Sequence, residues 1–149
     1  MALLHEFYLI PSSIDVQDFY RTTKNNDAII DSVNIHDDMI TYIYDSLNWI
    51  PSRNPALRGM PHGQGIHYHG ITLFDEHSSR DLLRIFTAWR DLFSNSPDIF
   101  QLKGQFIINR DEHEILYFDR NEIVDQFETM ISMSNYLADG NYYLYYCGI

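Results

Sequence analysis

The sequence predicts an α+β fold. One domain spans residues 1–149, with a mixed or antiparallel sheet of about four to five strands and helices mainly on one face. Three observations predict it. Alternating and helical hydrophobic periods succeed one another in the order β-α-α-α-β-α-β-β-α-β. Two adjacent alternating runs are separated by a turn, the mark of a hairpin. The 149 residues include 11 Tyr, 9 Phe and 2 Trp, enough apolar material for one core.

Leu4-His5-Glu6-Phe7-Tyr8-Leu9-Ile10 reads as the first strand, ended by Pro11. Ser12 or Ser13 is expected to cap a helix through about Tyr20, with Asp15 and Asp18 near its positive end. Asn26 or Asp27 opens a second, short helix across Ala28-Ile29-Ile30. A third helix runs from about Asp37 to Trp49, with Ile40, Ile43, Tyr44 and Leu47 on one face. From Pro51 to Gly65 the periodicity stops. Three prolines, three glycines, Arg53 and Arg58 fill this stretch, which reads as a loop of the length usually reserved for function.

Ile66 to Phe74 reads as a strand. Ser78 then caps the most regular helix, about 79–94, whose stripe is Leu82, Ile85, Phe86, Trp89, Leu92 and Phe93. Phe100, Leu102, Phe106 and Ile108 alternate with polar residues, Asn109-Arg110-Asp111-Glu112 makes a turn, and Ile115-Leu116-Tyr117-Phe118 returns. Asp119 and Glu122 have capping-box spacing, and Gly140 ends the helix behind them. The aromatic run Asn141-Tyr142-Tyr143-Leu144-Tyr145-Tyr146-Cys147-Gly148-Ile149 is a last strand. It is expected to insert into the sheet, because an exposed edge of that composition invites aggregation.

The formal charge is −11, unevenly spread. Residues 1–50 carry 8 acids and 2 bases, 51–100 carry 5 of each, and 101–149 carry 8 and 3. Such a chain is repelled by nucleic acid and by anionic membranes, and attracted to basic proteins. Cys147 is the lone cysteine, so no internal disulfide is possible. The start lacks a basic n-region and no apolar run approaches membrane-spanning length, so the expectation is a cytoplasmic protein.

Candidate chemistry is sparse. His67 and His69, two apart on an expected strand, would point one way, and His62 could join them from the loop to hold a metal. No nearby Glu or Asp stands out as a general base. The glycines match no phosphate-binding fingerprint. Cys147 lies in an apolar strand, unlike a reactive thiol. The expectation is therefore no enzyme, no catalytic residues and no cofactor. What remains is an acidic, tyrosine-containing surface. Asp37, Asp38, Tyr42 and Asp45 form one cluster, and Asp111, Glu112, Glu114 and Asp119 another. Arg53 and Arg58 offer a second possible contact region.

Three stretches carry a family resemblance: Gly65-Ile66-His67-Tyr68-His69-Gly70-Ile71-Thr72-Leu73; Phe86-Thr87-Ala88-Trp89-Arg90-Asp91-Leu92-Phe93 with Pro97 and Leu102-Lys103-Gly104; and the ending Tyr145-Tyr146-Cys147-Gly148-Ile149. In this order the chain resembles small acidic bacterial immunity proteins of contact-dependent toxin systems. The resemblance covers roughly the last 85 residues and implies a partner, a cognate toxin, with no catalytic residues to carry over. A basic toxin would be neutralised through the acidic surface. The alternatives are a metal-dependent enzyme using His62, His67 and His69, and a regulatory or structural interaction protein without a toxin partner.

Overall fold

A computed structural model describes residues 3–17, 19 and 27–149. The strands in chain order are β1 (Leu4–Pro11), β2 (Asp31–His36), β3 (Pro51–Arg53), β4 (His62–Gln64), β5 (Ile71–Phe74), β6 (Ile99–Ile107), β7 (Glu112–Asp119) and β8 (Tyr142–Cys147). Three helices lie wholly within the described residues: α1 (Asp37–Leu47), α2 (Ser79–Phe93) and α3 (Arg120–Tyr136). Among the described residues, six strands form one antiparallel sheet in the order β2-β1-β8-β5-β3-β4, and β6 and β7 form a separate hairpin.

The aromatic last strand, β8, lies inside the sheet, with Tyr8 opposite Tyr145 and Leu73 opposite Tyr145 on its other side. Strands buried on both faces need apolar residues at successive positions, and Leu144, Tyr145 and Tyr146 are all fully buried. On one face Phe7, Leu9, Ile35, Leu144 and Tyr146 meet Ile40 and Ile43 of α1, Phe86 of α2, and Phe127 and Met130 of α3. On the other, Ile10, Leu73 and Tyr145 pack with Val16 and Phe19. The inner face of the hairpin, Phe100, Leu116 and Phe118, joins the helical side of the core. Ring contacts Phe93–Phe100 and Phe100–Phe118, at 5.2 and 5.5 Å, link it to α2.

This overturns the single sheet of four to five strands and the predicted element order. Eight strands in two sheets are present among the described residues. The expected helix over Ala28–Ile30 is instead a turn at Asp27–Ala28 leading into β2, with the Ile30 N–H donating to Leu9 O at 2.8 Å. The polar residues Ser32 and Asn34 hide this edge strand, because only one flank is covered. The expected loop 51–65 holds a short hairpin, β3–β4, in which Arg53 faces His62. Its prolines and glycines shorten the strands to three residues each, too few to show a period. Asp15, rather than Ser12 or Ser13, caps the helical residues Val16, Gln17 and Phe19. Its carboxylate accepts from Gln17 N–H at 3.0 Å. The predicted continuation at Asp18 and Tyr20 lies outside the described residues, as does Asn26.

Two further expectations change in ways that shape the site. The strand over 66–74 is confined to Ile71–Phe74, since 68–70 turn, with Gly70 N–H donating to His67 O at 2.9 Å. The His67 ring folds over Gly70, and a Cβ there would lie 1.9 Å from its Nδ1, so any larger residue would displace this exposed side chain. In the hairpin, the register jumps from Lys103 opposite Ile115 to Phe106 opposite His113. Three residues on β6 thus match two on β7. This bulge moves Phe106 to the face opposite Phe100 and Leu102. Ser78 precedes α2, but its hydroxyl donates to Pro51 O; the cap belongs to Asp75, which starts the short 3-10 turn Glu76–Ser78. Asp119 does cap α3, accepting from Glu122 N–H at 3.0 Å.

Candidate functional site

A cleft of about 860 Å³ opens between α1, the 68–70 turn and the far half of the hairpin. Each wall follows from local sequence. His36 caps α1 by accepting the Asp38 N–H at Nδ1. Asp37 and Asp38 therefore fall in the first turn, where the helix dipole favours negative charge. One and two turns on, Thr41, Tyr42 and Asp45 face the same opening. The hairpin contributes Lys103, Gly104, Glu114 and Leu116. Gly104 lets the strands close over the cleft, since a Cβ would sit 3.1 Å from that of Glu114. Four carboxylates, Asp37, Asp38, Asp45 and Glu114, face one lysine, so the field in the cleft is negative.

The cleft floor is a hydrogen-bonded chain. His5 shares the inward face of β1 with Phe7 and is fully buried. Its Nε2 lies 2.7 Å from Asp37 Oδ1 and its Nδ1 2.6 Å from the Tyr146 hydroxyl. A carboxylate only accepts, so Nε2 carries the proton and donates to Asp37; Nδ1 then accepts from Tyr146. The Tyr68 hydroxyl donates to the same Asp37 oxygen. Burial lowers the pKa of His5 and outweighs the opposing pull of Asp37, so the imidazole stays neutral near pH 7. Burial alone would raise the pKa of Asp37, but the bonds from Tyr68 and His5 and the charges of His5 and His36 hold it below the ordinary value. The Tyr146 pKa is raised, first by burial and then by the nearby Tyr68, Tyr44 and Asp37. Burial and the bond to Asp37 raise that of Tyr68. The result is a carboxylate fixed in orientation and kept ionised at the base of a concave acidic surface. His5 itself, with both nitrogens engaged and no exposed surface, acts only through Asp37.

Of the residues singled out from the sequence, Asp37, Asp38, Tyr42, Asp45 and Glu114 meet in this cleft. Glu112 is at the distal end of β7, with an oxygen 3.9 Å from Arg110 Nη1. Asp111 occupies the hairpin turn in a left-handed conformation, φ 51°, and Asp119 serves as a helix cap. Arg53 is tied into its own hairpin: Nε donates to Met60 O at 2.9 Å, and Nη1 lies 3.6 Å from Asp75. Arg58 is exposed in the turn between β3 and β4.

The three histidines do not converge. His62 sits on edge strand β4 beside His77, with 6.3 Å between ring centroids. His67 folds over Gly70, and His69 lines the acidic cleft. Among the described residues, no group of three or more His, Cys, Asp or Glu side chains is placed to hold a metal ion. The expected strand alternation that would have paired His67 with His69 is broken by the turn.

Sequence reasoning missed His5, Tyr68 and Tyr146. A signal did exist: His5 and Tyr146 stand at inward positions of strands otherwise apolar on that face, and a buried polar group there must find a partner.

No family model, curated protein or solved structure matches the chain. No helix among the described residues is long and apolar enough to cross a membrane.

Proposed function

We propose that this chain is a protein-binding domain whose acidic, tyrosine-lined cleft receives a basic region of a partner, and that the partner is a toxin the chain neutralises. One observation carries the reading. Asp37, Asp38 and Asp45 of α1 and Glu114 of β7, far apart in sequence, share one concave surface with Tyr42, Tyr44 and Tyr68. Tyrosines supply rigid amphipathic area, and the carboxylates steer and pair a cationic side chain. Asp37, held ionised by His5 and Tyr68, is the fixed point against which an arginine or lysine of the partner docks. The toxin-neutralising role is supported by the resemblance in the last 85 residues and by the −11 charge, which suits a nucleic-acid-acting, basic toxin.

The test uses the product of a neighbouring toxin-like reading frame as partner. Association should slow roughly tenfold or more between low and high salt. Asp38→Asn with Asp45→Asn should flatten that dependence. Co-expression should protect cells from the toxin. Salt-indifferent association would refute docking by charge, and binding without protection would refute neutralisation.

A further inference from the structure

The outer face of α1 carries a repeating pattern. Asp38, Tyr42, Asp45 and Trp49 stand at i, i+4, i+7 and i+11, the spacing of one stripe along a helix. Acid and aromatic alternate along it, and Tyr42 and Trp49 are 42% and 67% exposed. Trp49 follows the end of the helix proper. Asn48 keeps right-handed helical angles and the Trp49 N–H donates to Ser46 O at 3.3 Å, so the turn continues and holds Trp49 on the side of Tyr42 and Asp45. The stripe is braced from behind. Trp89 of α2 meets the Tyr42 ring edge-on at 6.0 Å between centroids, and its indole N–H donates to Ser46 Oγ at 3.0 Å. Ser46 in turn donates to Ile43 O at 2.6 Å. Tyr42 is thus held in place before any partner arrives, and a partner need not bear the cost of ordering it. No Lys or Arg occurs on α1. Lys103 and His69 line the cleft beside the stripe, and His36, 3.6 Å from Asp38, uses Nδ1 to accept the Asp38 N–H.

We propose that this stripe docks an amphipathic helix of the partner, about three turns long, which presents Lys or Arg to Asp38 and Asp45 and apolar side chains to Tyr42 and Trp49. The inference rests on the cleft reading above and deepens it. Asp38, Tyr42 and Asp45 also line the cleft, and Trp49, one turn beyond that lining, is the contact added. Spacing selects the helix. The two acids are seven residues apart, as are the two aromatics, a separation of roughly 10.5 Å along a helix axis. A partner helix repeats its own face at that interval, so residues seven apart on it meet both acids or both aromatics together. A strand repeats one face at roughly 6.6 and 13 Å and matches neither. Charge selects the sign. A second copy of α1 would set acid against acid, whereas a cationic helix pairs with both carboxylates. The aromatics give the apolar contact that slows dissociation, which exposed charge alone does not.

The experiment needs no identified toxin. Two labelled, alanine-based peptides of identical composition and equal helicity by circular dichroism serve as probes. One sets Lys at i and i+7 and Leu at i+4 and i+11, on a single face; the other spreads the same residues around the helix. Binding to the full chain is followed by fluorescence anisotropy. The single-face peptide should bind at least about tenfold tighter, and Trp49→Ala should abolish that advantage while melting like the parent. On the unmodified chain the same peptide should shift tryptophan emission to the blue as Trp49 is covered. Equal binding of the two peptides, an advantage that survives Trp49→Ala, or an unshifted emission overturns the helical docking. If the equal binding still falls in Asp38→Asn with Asp45→Asn, the cleft reading stands without it. Binding of both peptides that ignores this pair and ignores salt refutes the cleft reading as well. A concentration-dependent dimer in sedimentation, lost in Trp49→Ala, would assign the stripe to a second copy and overturn the proposal.

Discussion

Truncating Asp37 is the most informative perturbation of the cleft floor. Asp37→Ala removes the acceptor of two hydrogen bonds, from fully buried His5 and from Tyr68. A buried donor left without a partner costs about 1–3 kcal/mol. The Tyr68 hydroxyl is nearer the opening and can turn toward water, so most of the loss falls on His5. The sum is roughly 2–4 kcal/mol, or about 4–16 °C in Tm for a chain of this size. Asp37→Asn keeps an oxygen for one donor and should lose only about half as much. The assay is urea unfolding of both variants beside the parent, read as midpoint shifts at constant slope. The reasoning fails if Asp37→Ala unfolds at the parent midpoint, or if Asn and Ala are equally destabilising. An unchanged midpoint would show that the His5 nitrogen finds another partner at no cost; equal losses would show that the amide oxygen of Asn does not replace the carboxylate.

Other consequences follow from the same geometry. Because the His5 pKa is lowered in the folded chain, the unfolded state binds more protons between the two values, and stability must rise with pH there. It should be complete above about pH 6.5 and decline below it, with Asp37, also lowered, extending the decline into the carboxylate range; His5→Gln should remove the upper part of that decline in melts across pH. At Gly148 an added Cβ would lie 2.0 Å from Tyr68 O. Gly148→Ala must break the bonds from Gly148 N–H to Gly70 O and from Ile149 N–H to Tyr68 O, lowering Tm and, on the cleft reading, weakening binding of basic peptides. Burial and the nearby Glu6 push the Cys147 thiol up to about 12, so iodoacetamide should label it slowly until the protein is unfolded; rapid stoichiometric labelling of the folded chain would contradict this.

The parts legible in the sequence were local ones. The three helices lie within two or three residues of where their periodicity places them, because a buried stripe and a capping residue act within a few turns. Asp119 is readable as a cap for the same reason. The acid clusters of α1 and β7 were visible as composition, but not as neighbours. Strand β2 escaped because an edge strand with one covered flank carries no clear alternation, and β3 and β4 because three residues each are too few to show a period.

Sequence alone determined where the helices near 37–49, 79–94 and after Asp119 lie, where the 99–119 hairpin turns, and that negative charge gathers in the outer thirds of the chain, though not that Ala28–Ile30 is non-helical. These follow from spacing and from counting. Tertiary structure alone decided that Glu114 faces Asp38, that His5 lies between Asp37 and Tyr146, and that Phe106 turns outward. Each depends on strand register and order, which are set by contacts between segments as many as 141 positions apart. A shift of one residue in pairing reverses every side chain, and no local pattern records that choice.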